Sequence, residues 1–310
     1  MAFQRVVDRL LPDGSVAKVY PFHISLEGME SVLLCRDDED FDHLEKSFYL
    51  GALSCNALVI SEIAMSTHGH CAVLAVNWEG AAAVGEFVKK RHSQYIAKKY
   101  GERNVMARTR ISVQYLDSDR YVRNALAYIP RNAADTGYRI EDYPWSSYRG
   151  MFAGQVQGVR AVSGLSRREK ETLLRTHKDL SQVPWVLDER DRIVPNSACD
   201  CAYVESAFLG DQAYYLRMIG EVNPAEMRQK LVLNSRVWQN DAQFMVCVAD
   251  VTGRWFKKEL PALTPAEKAK LVTYLFRSYC TSVAQLARCL QLRKEDVRRV
   301  LWENNIRPRE

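Results

Sequence analysis

The stretch ALVISEIAMSTHGHCAVLAV, residues 57–76, decides how the first half of the chain is read. Residues 57–65 and 70–76 are rich in aliphatic and β-branched side chains and read as two successive strands. The second is so nearly all apolar that it belongs inside a sheet. At its start stands His68-Gly69-His70. Side chains at i and i+2 share one face of a strand, so both imidazoles can grip one divalent cation. A pair of ordinary surface or core histidines is the other reading.

Working outward, residues 16–26 read as a strand and residues 37–53 as a helix. In that helix Phe41, Leu44, Phe48 and Ala52 recur at helical spacing after an acidic start. A second helix, residues 84–100, buries Val84, Phe87, Val88, Tyr95 and Ile96. Residues 111–116 make a fourth strand, and Ser118 caps a third helix over residues 119–129. The order β-α-β-β-α-β-α places this half in the α+β class, with a ferredoxin-like split βαβ antiparallel sheet.

The chain has 310 residues, 47% hydrophobic and 26% charged, which excludes disordered and fibrous classes. No run approaches the ~18 uninterrupted apolar residues of a spanning helix, and the first residues do not read as a signal peptide. A cytoplasmic, at most nucleoid-associated, protein with no membrane partner is expected. Eight scattered cysteines suit reduced thiols, and the pair Cys199 and Cys201 lacks the second half of a zinc site.

The net charge of +5 is unevenly spread. Between Ala81 and Arg110, Lys89, Lys90, Arg91, Lys98, Lys99, Arg103, Arg108 and Arg110 are opposed only by Glu86 and Glu102. Such a cluster reads as a contact surface for the phosphates of DNA, or as a solvated helix face.

After Gly150 helical patterns dominate. Residues 153–180 read as a linker and connecting helix, residues 181–255 as a helical middle region, and residues 256–310 as a helix-turn-helix-like DNA-binding region. Helices are expected at 167–176, 202–208, 212–219 and 224–233. Thr264-Pro265-Ala266-Glu267 forms a capping box with proline at the first helical position. Leu286, Ala287, Leu290, Leu292, Val297 and Val300 fall where a helix-turn-helix needs them, with Gln291 at the usual turn glycine. Arg293, Lys294, Arg298 and Arg299 lie on the second helix of that pair, which reads as a DNA reader or as a structural hairpin.

On the third helix, Val122, Ala125, Leu126 and Ile129 form the core stripe. Tyr128 and Asn132, four residues apart, are about 40° apart on one face beside it, and Pro130 loosens the turn between them. A tyrosine and an amide oxygen near two strand histidines suit attack of a phenol on a phosphodiester polarised by a metal. Tyr95, on the basic helix, is the rival nucleophile, but Lys99 stands where the amide should be.

These residues carry a resemblance. Asp37-Asp38-Glu39-Asp40, Met65 to His70, Asp119-Arg120-Tyr121, Ala127 through Gly137, and Asp142-Tyr143-Pro144-Trp145-Ser146-Ser147-Tyr148 have counterparts, in order, in the REP-associated tyrosine transposases, single-tyrosine HUH transposases. The chain resembles that family over about residues 15–150, close to half its length, and the domain is expected to span residues 1–152. The resemblance implies an HUH-nuclease-like domain in which Tyr128 is the nucleophile and His68, His70 and Asn132 hold Mg²⁺ or Mn²⁺. It implies cutting and rejoining of single-stranded DNA near hairpins through a 5′-phosphotyrosine, by a monomer or a homodimer. Gly69 stands where the family prefers a bulky apolar residue, and residues 105–110 lack the family's aromatics. The alternative function is a catalytically silent, domesticated DNA-binding protein of the same fold.

Overall fold

Polar and apolar residues alternate along Tyr20-Pro21-Phe22-His23-Ile24-Ser25-Leu26-Glu27, and that alternation assigns the two faces of the sheet. The structure, a computed structural model, describes residues 3–27, 33–102, 106, 109–221, 241–279, 281–304 and 306. The chain divides into two compact units, Met1–Pro224 and Ala225–Glu310.

The first unit opens with β1 (Val7–Leu10) and β2 (Val16–Glu27), followed by α1 (Asp38–Ser54). The hairpin β3 (Leu58–Ala64) and β4 (His68–Ala75) comes next, then α2 (Trp78–Tyr100), β5 (Arg110–Tyr115) and α3 (Asp119–Arg131). The pairings among these strands are antiparallel. β2 pairs with β4 on one side and β5 on the other, β3 pairs with β4, and β1 adds to the start of β2. The central order is therefore β5-β2-β4-β3, with α1 and α2 as the crossovers. A bulge between Val59 and Ser61 shifts the register of β3.

Phe22, Ile24 and Leu26 face the layer of α1 and α2, whose Leu44, Phe48, Val84 and Val88 are fully buried. Asp37 caps α1 by accepting from the Asp40 N–H, and Asn77 caps α2 in the same way from Gly80. Asp40 then ties the helices together. Burial pushes its carboxyl up, but hydrogen bonds from Lys99, the Arg36 N–H, Tyr95 and Tyr100 outweigh that and hold it at about 2.

The Asp142–Tyr148 segment covers the outer edge of β3. The Ala64 N–H donates to the Trp145 carbonyl (3.0 Å), the Tyr143 hydroxyl to the Ala64 carbonyl (2.6 Å), and the Glu62 N–H to Ser147 Oγ (2.8 Å). Strand edges left bare invite pairing with other chains, and this segment closes one.

The first unit continues with β6 (Arg160–Ala161), α4 (Arg167–Leu173), β7 (Val186–Leu187), α5 (Pro195–Ala198), α6 (Cys201–Ala207) and α7 (Gln212–Glu221). This part is docked on the sheet and α3. The Asp200 N–H donates to the Val59 carbonyl (2.8 Å), and Arg123 Nε to the Ala207 carbonyl (2.6 Å). The stretch expected as a linker contributes β6, which pairs with β7. The helix expected at 224–233 lies outside the described residues.

The second unit holds α8 (Asp241–Phe256), α9 (Pro265–Ser278), α10 (Val283–Cys289) and α11 (Lys294–Glu303) around a core of Phe244, Val248, Leu271, Leu275, Leu286 and Leu301. The Thr264 capping box forms as expected. Between α10 and α11, Gln291 takes a left-handed conformation at φ 53°, the backbone state that a turn glycine would supply.

Two expectations follow. A Cβ built on Gly69 would lie 3.0 Å from Phe48 Cζ, so the Phe48 ring occupies the space a bulky residue would need. Gly69→Leu should destabilise the protein by about 1–3 kcal/mol through overpacking. In urea unfolding the Gly69→Leu, Phe48→Ala double variant should lose less than the two single losses summed.

The second concerns buried histidines. His92 Nε2 donates to the Leu34 carbonyl (2.7 Å), so its Nδ1 accepts from His43 Nδ1 (3.0 Å) and both rings are neutral. Burial pulls His92 down to about 4 and His43 well below its ordinary value. The unfolded chain takes up these protons below about 6.5, so this contribution to stability is lost as pH falls from there towards 4. Buried Glu45, pushed up to about 8 by burial and then by Asp42, acts with the opposite sign, so the comparison must be differential. The stability advantage of the wild type over His92→Gln should shrink by up to about 1.4 kcal/mol per pH unit between pH 6.5 and 4.

Candidate active site

β4 begins at His68, two residues before the expected start, so both histidines are strand residues. Gly69 faces α1, which turns His68 and His70 to the opposite face of the sheet. On that face His70 lies opposite Ser25 of β2, and Ser25 in turn lies opposite Ser112 of β5. Gln114 lies opposite His23. The result is a polar floor that is almost wholly buried: His23, Ser25, His70, Ser112 and Gln114.

α3 lies over this floor. Its ring of Tyr128 meets the ring of His70 edge-on at 5.1 Å between centroids, and that of His23 at 6.2 Å. Tyr128 is 2% exposed. Asn132 caps the helix, and its Nδ2 donates to the carbonyls of Tyr128 (2.8 Å) and Ile129 (3.2 Å). These two bonds fix which way the amide points, and Oδ1 faces His68 Nε2 at 3.4 Å. Pro130 lacks an N–H, so the Leu126 carbonyl loses its helical donor. The Tyr215 hydroxyl of α7 donates to it instead, at 3.4 Å.

The structure thus brings together Tyr128, His68, His70 and Asn132. It adds His23, which the motif reading did not single out. His23 Nε2 lies 3.2 Å from His70 Nδ1, and burial pulls its pKa down to about 4, so it is neutral near pH 7. The signal was present in the alternation of residues 22–27, which puts His23 on the same face as Ser25. His23 Nδ1 and Ser25 Oγ have no partner among the described residues.

A cation fits this donor set. His68 engages Thr67 Oγ1 through Nδ1 (3.0 Å), and His70 engages His23 through Nδ1, so each ring presents Nε2 as its other nitrogen. With the Asn132 amide oxygen they make a mixed nitrogen and oxygen set suited to a divalent ion of the Mn²⁺ or Mg²⁺ kind. No cluster of three or more His, Cys, Asp or Glu suited to a metal occurs among the described residues.

The basic helix lies elsewhere. α2 packs on the sheet face opposite His68 and His70. There Lys89 donates to the Thr109 carbonyl, Arg91 to Ser47 and the carbonyls of Leu174 and Arg175, and Lys99 pairs with Asp37, Glu39 and Asp40. Lys90 and Lys98 are exposed. Arg110 stands on β5 opposite Glu27. Arg103 and Arg108 lie outside the described residues. Tyr95 is buried on α2 with its hydroxyl on Asp40 Oδ1 (2.8 Å), and burial together with Asp40 raises its pKa. In the second unit Arg293 and Arg299 pair with Asp296, while Lys294 and Arg298 are exposed on α11. Cys199 and Cys201 are free thiols, and no helix of the described residues is long and apolar enough to cross a membrane.

No family model and no curated protein matches the chain. Among solved structures the chain is similar to a REP-associated tyrosine transposase bound to a REP hairpin. The identity is 13% and the TM-score 0.35, over 47% of this chain and 89% of that one.

Proposed function

We propose that the chain is a metal-dependent DNA strand nickase and transferase that uses Tyr128 as its nucleophile on single-stranded DNA near hairpins. What carries this reading is convergence. His68, His70, Tyr128 and Asn132 come from a strand and a helix far apart in sequence, yet meet on one face of the sheet, with His68 Nε2 3.4 Å from Asn132 Oδ1. The β5-β2-β4-β3 order within a β-α-β-β-α-β chain favours the ferredoxin-like, HUH-type reading of the sheet. The left-handed Gln291 between α10 and α11 favours a helix-turn-helix in the second unit.

In this reading His68, His70 and Asn132 hold Mg²⁺ or Mn²⁺, which when bound polarises the scissile phosphate. The Tyr128 oxygen attacks phosphorus, the bond to the 3′ oxygen breaks, and a 5′-phosphotyrosine forms. The phenol proton is lost and the departing 3′ oxygen gains one, so charge balances. The phosphotyrosine conserves the energy of the broken bond, and attack by a 3′-hydroxyl rejoins the strand without ATP. His23 holds His70 in the tautomer whose Nε2 can ligate. Tyr128 is 2% exposed, which favours a second reading, a silent DNA binder, in any state where α3 stays closed over the site.

Denaturing electrophoresis with hairpin-forming single-stranded oligonucleotides separates the two. A covalent protein–DNA adduct should form with Mn²⁺ or Mg²⁺, vanish with EDTA, and vanish in Tyr128→Phe. Hairpin binding with no adduct under any cation would establish the silent binder, and an adduct that survives Tyr128→Phe would move the nucleophile elsewhere.

His23→Ala leaves every ligand in place. It should weaken Mn²⁺ binding, read by electron paramagnetic resonance of the free ion, by about 10–100-fold. Unchanged Mn²⁺ affinity would remove His23 from the site.

A further inference from the structure

On the helix layer, away from the Tyr128 face, a cleft of about 540 Å³ lies between α2 and the turn that follows α4. Gln94 and Lys98 of α2 form one wall, and Thr172, Arg175, Thr176 and His177 the other, with Arg91 at the junction. The turn is held rigidly. Arg175 has a left-handed backbone (φ 47°), its carbonyl accepts from Arg91 Nη1 (2.8 Å), and the Leu174 carbonyl accepts from Arg91 Nη2 (2.6 Å). The Arg175 guanidinium rests over the Tyr95 ring, 4.9 Å from its centroid.

The charges in this cleft do not balance. Arg91 is bonded only to neutral oxygens, those of Ser47, Leu174 and Arg175, and neither it nor Lys98 has a carboxylate partner among the described residues. Burial, and then the charge of Arg175, pull the Arg91 guanidinium down to about 10. Arg175 pairs with Glu39, which lies outside the cleft. The lining carboxylate, Glu171, is already engaged by Arg167 (2.7 Å) and His177 (3.0 Å). Two positive charges therefore face a hollow whose other donors are an amide and two hydroxyls.

We propose that this cleft binds a phosphate group, with Lys98, Gln94 and the threonine hydroxyls as its donors and the Arg91 charge at their junction. A tetrahedral anion with several acceptor oxygens matches donors converging from two walls, and supplies the charge that Arg91 and Lys98 lack. The hollow lies in the size range of small-molecule sites, so it admits a phosphate that carries a further group, such as the end of a nucleic-acid strand. The proposal does not depend on the chemistry of Tyr128.

The test is calorimetric titration of the full chain with three probes: inorganic phosphate, a 5′-phosphorylated DNA dinucleotide, and the same dinucleotide with a 5′-hydroxyl. Lys98→Gln should weaken binding of the phosphorylated dinucleotide about tenfold. Gln94→Glu, at an exposed helix position that tolerates either residue, sets a carboxylate in the wall and should abolish it. Inorganic phosphate binding as tightly as the dinucleotide would support the cleft and assign it to free phosphate. Preference for the phosphorylated dinucleotide would support it and assign it to strand ends. Equal binding of both dinucleotides, without competition by phosphate, would overturn the proposal, as would indifference to Gln94→Glu.

Discussion

The two-residue repeat of β2 governs the first unit. Phe22, Ile24 and Leu26 are committed to the helix layer, so His23 and Ser25 must lie on the other face, and the antiparallel register sets His70 opposite Ser25. A slip of one residue would exchange the faces, driving imidazoles into the packed helices and aliphatics under α3. The apolar face supplies the energy that holds this register, at roughly 25 cal/mol for each Å² of apolar surface buried. The polar face costs energy, because His23 and Ser25 are fully buried and each retains an atom without a partner among the described residues. Apolar side chains would fill the same positions without that cost, so packing alone does not account for the polar floor.

α3 closes over this floor through a chain of dependent contacts. Pro130 breaks the helical ladder one turn after Leu126, and the Tyr215 hydroxyl restores a donor to the released carbonyl. The loosened end lets Asn132 fold its amide nitrogen back onto the carbonyls of Tyr128 and Ile129, which leaves the amide oxygen aimed at His68. In a regular helix end those carbonyls would be taken by backbone donors or water. Proline, asparagine and the docked α7 thus act together to point one oxygen, and the downstream helices belong to the architecture of the site.

Much of this was legible in the residues. The β-α-β-β-α-β-α order and the caps at Ser118 and Thr264 follow from periodicity and capping chemistry, and the grouping of His68, His70, Tyr128 and Asn132 comes with the family resemblance. β1 escaped because Val7–Leu10 is short and its outward residues are exposed, so it carries little apolar contrast. The first turns of α2 escaped because Gly80-Ala81-Ala82-Ala83 shows neither a polar nor an apolar face. His23 is visible as an alternating position, but its meeting with His70 depends on the register between β2 and β4, which no local pattern states. The partners of the basic helix were hidden for the same reason. Asp37, Glu39 and Asp40 answer Lys99 only after α1 and α2 pack side by side.

The sheet separates two tyrosines that each sit beside two histidines, and the two sets are bonded differently. Tyr95 stacks on His43 at 4.0 Å and lies 5.7 Å from His92. There the two Nδ1 atoms are spent on each other, His92 Nε2 is spent on the Leu34 carbonyl, and the tyrosine hydroxyl is held by Asp40. These contacts close inward, and the cluster works as a strut between α1 and α2. Around Tyr128 the closed bonds are those of His70 Nδ1 to His23 and His68 Nδ1 to Thr67, which orient the rings, while His68 Nε2 and Asn132 Oδ1 face each other at a distance too long for a strong hydrogen bond. That pair is a long contact rather than a closed one, and it is the contact on which the proposed ligand set rests. The same residue types therefore build an inward-closed clamp on one face and a more loosely bonded group on the other, and the proposed ligand set rests on that difference.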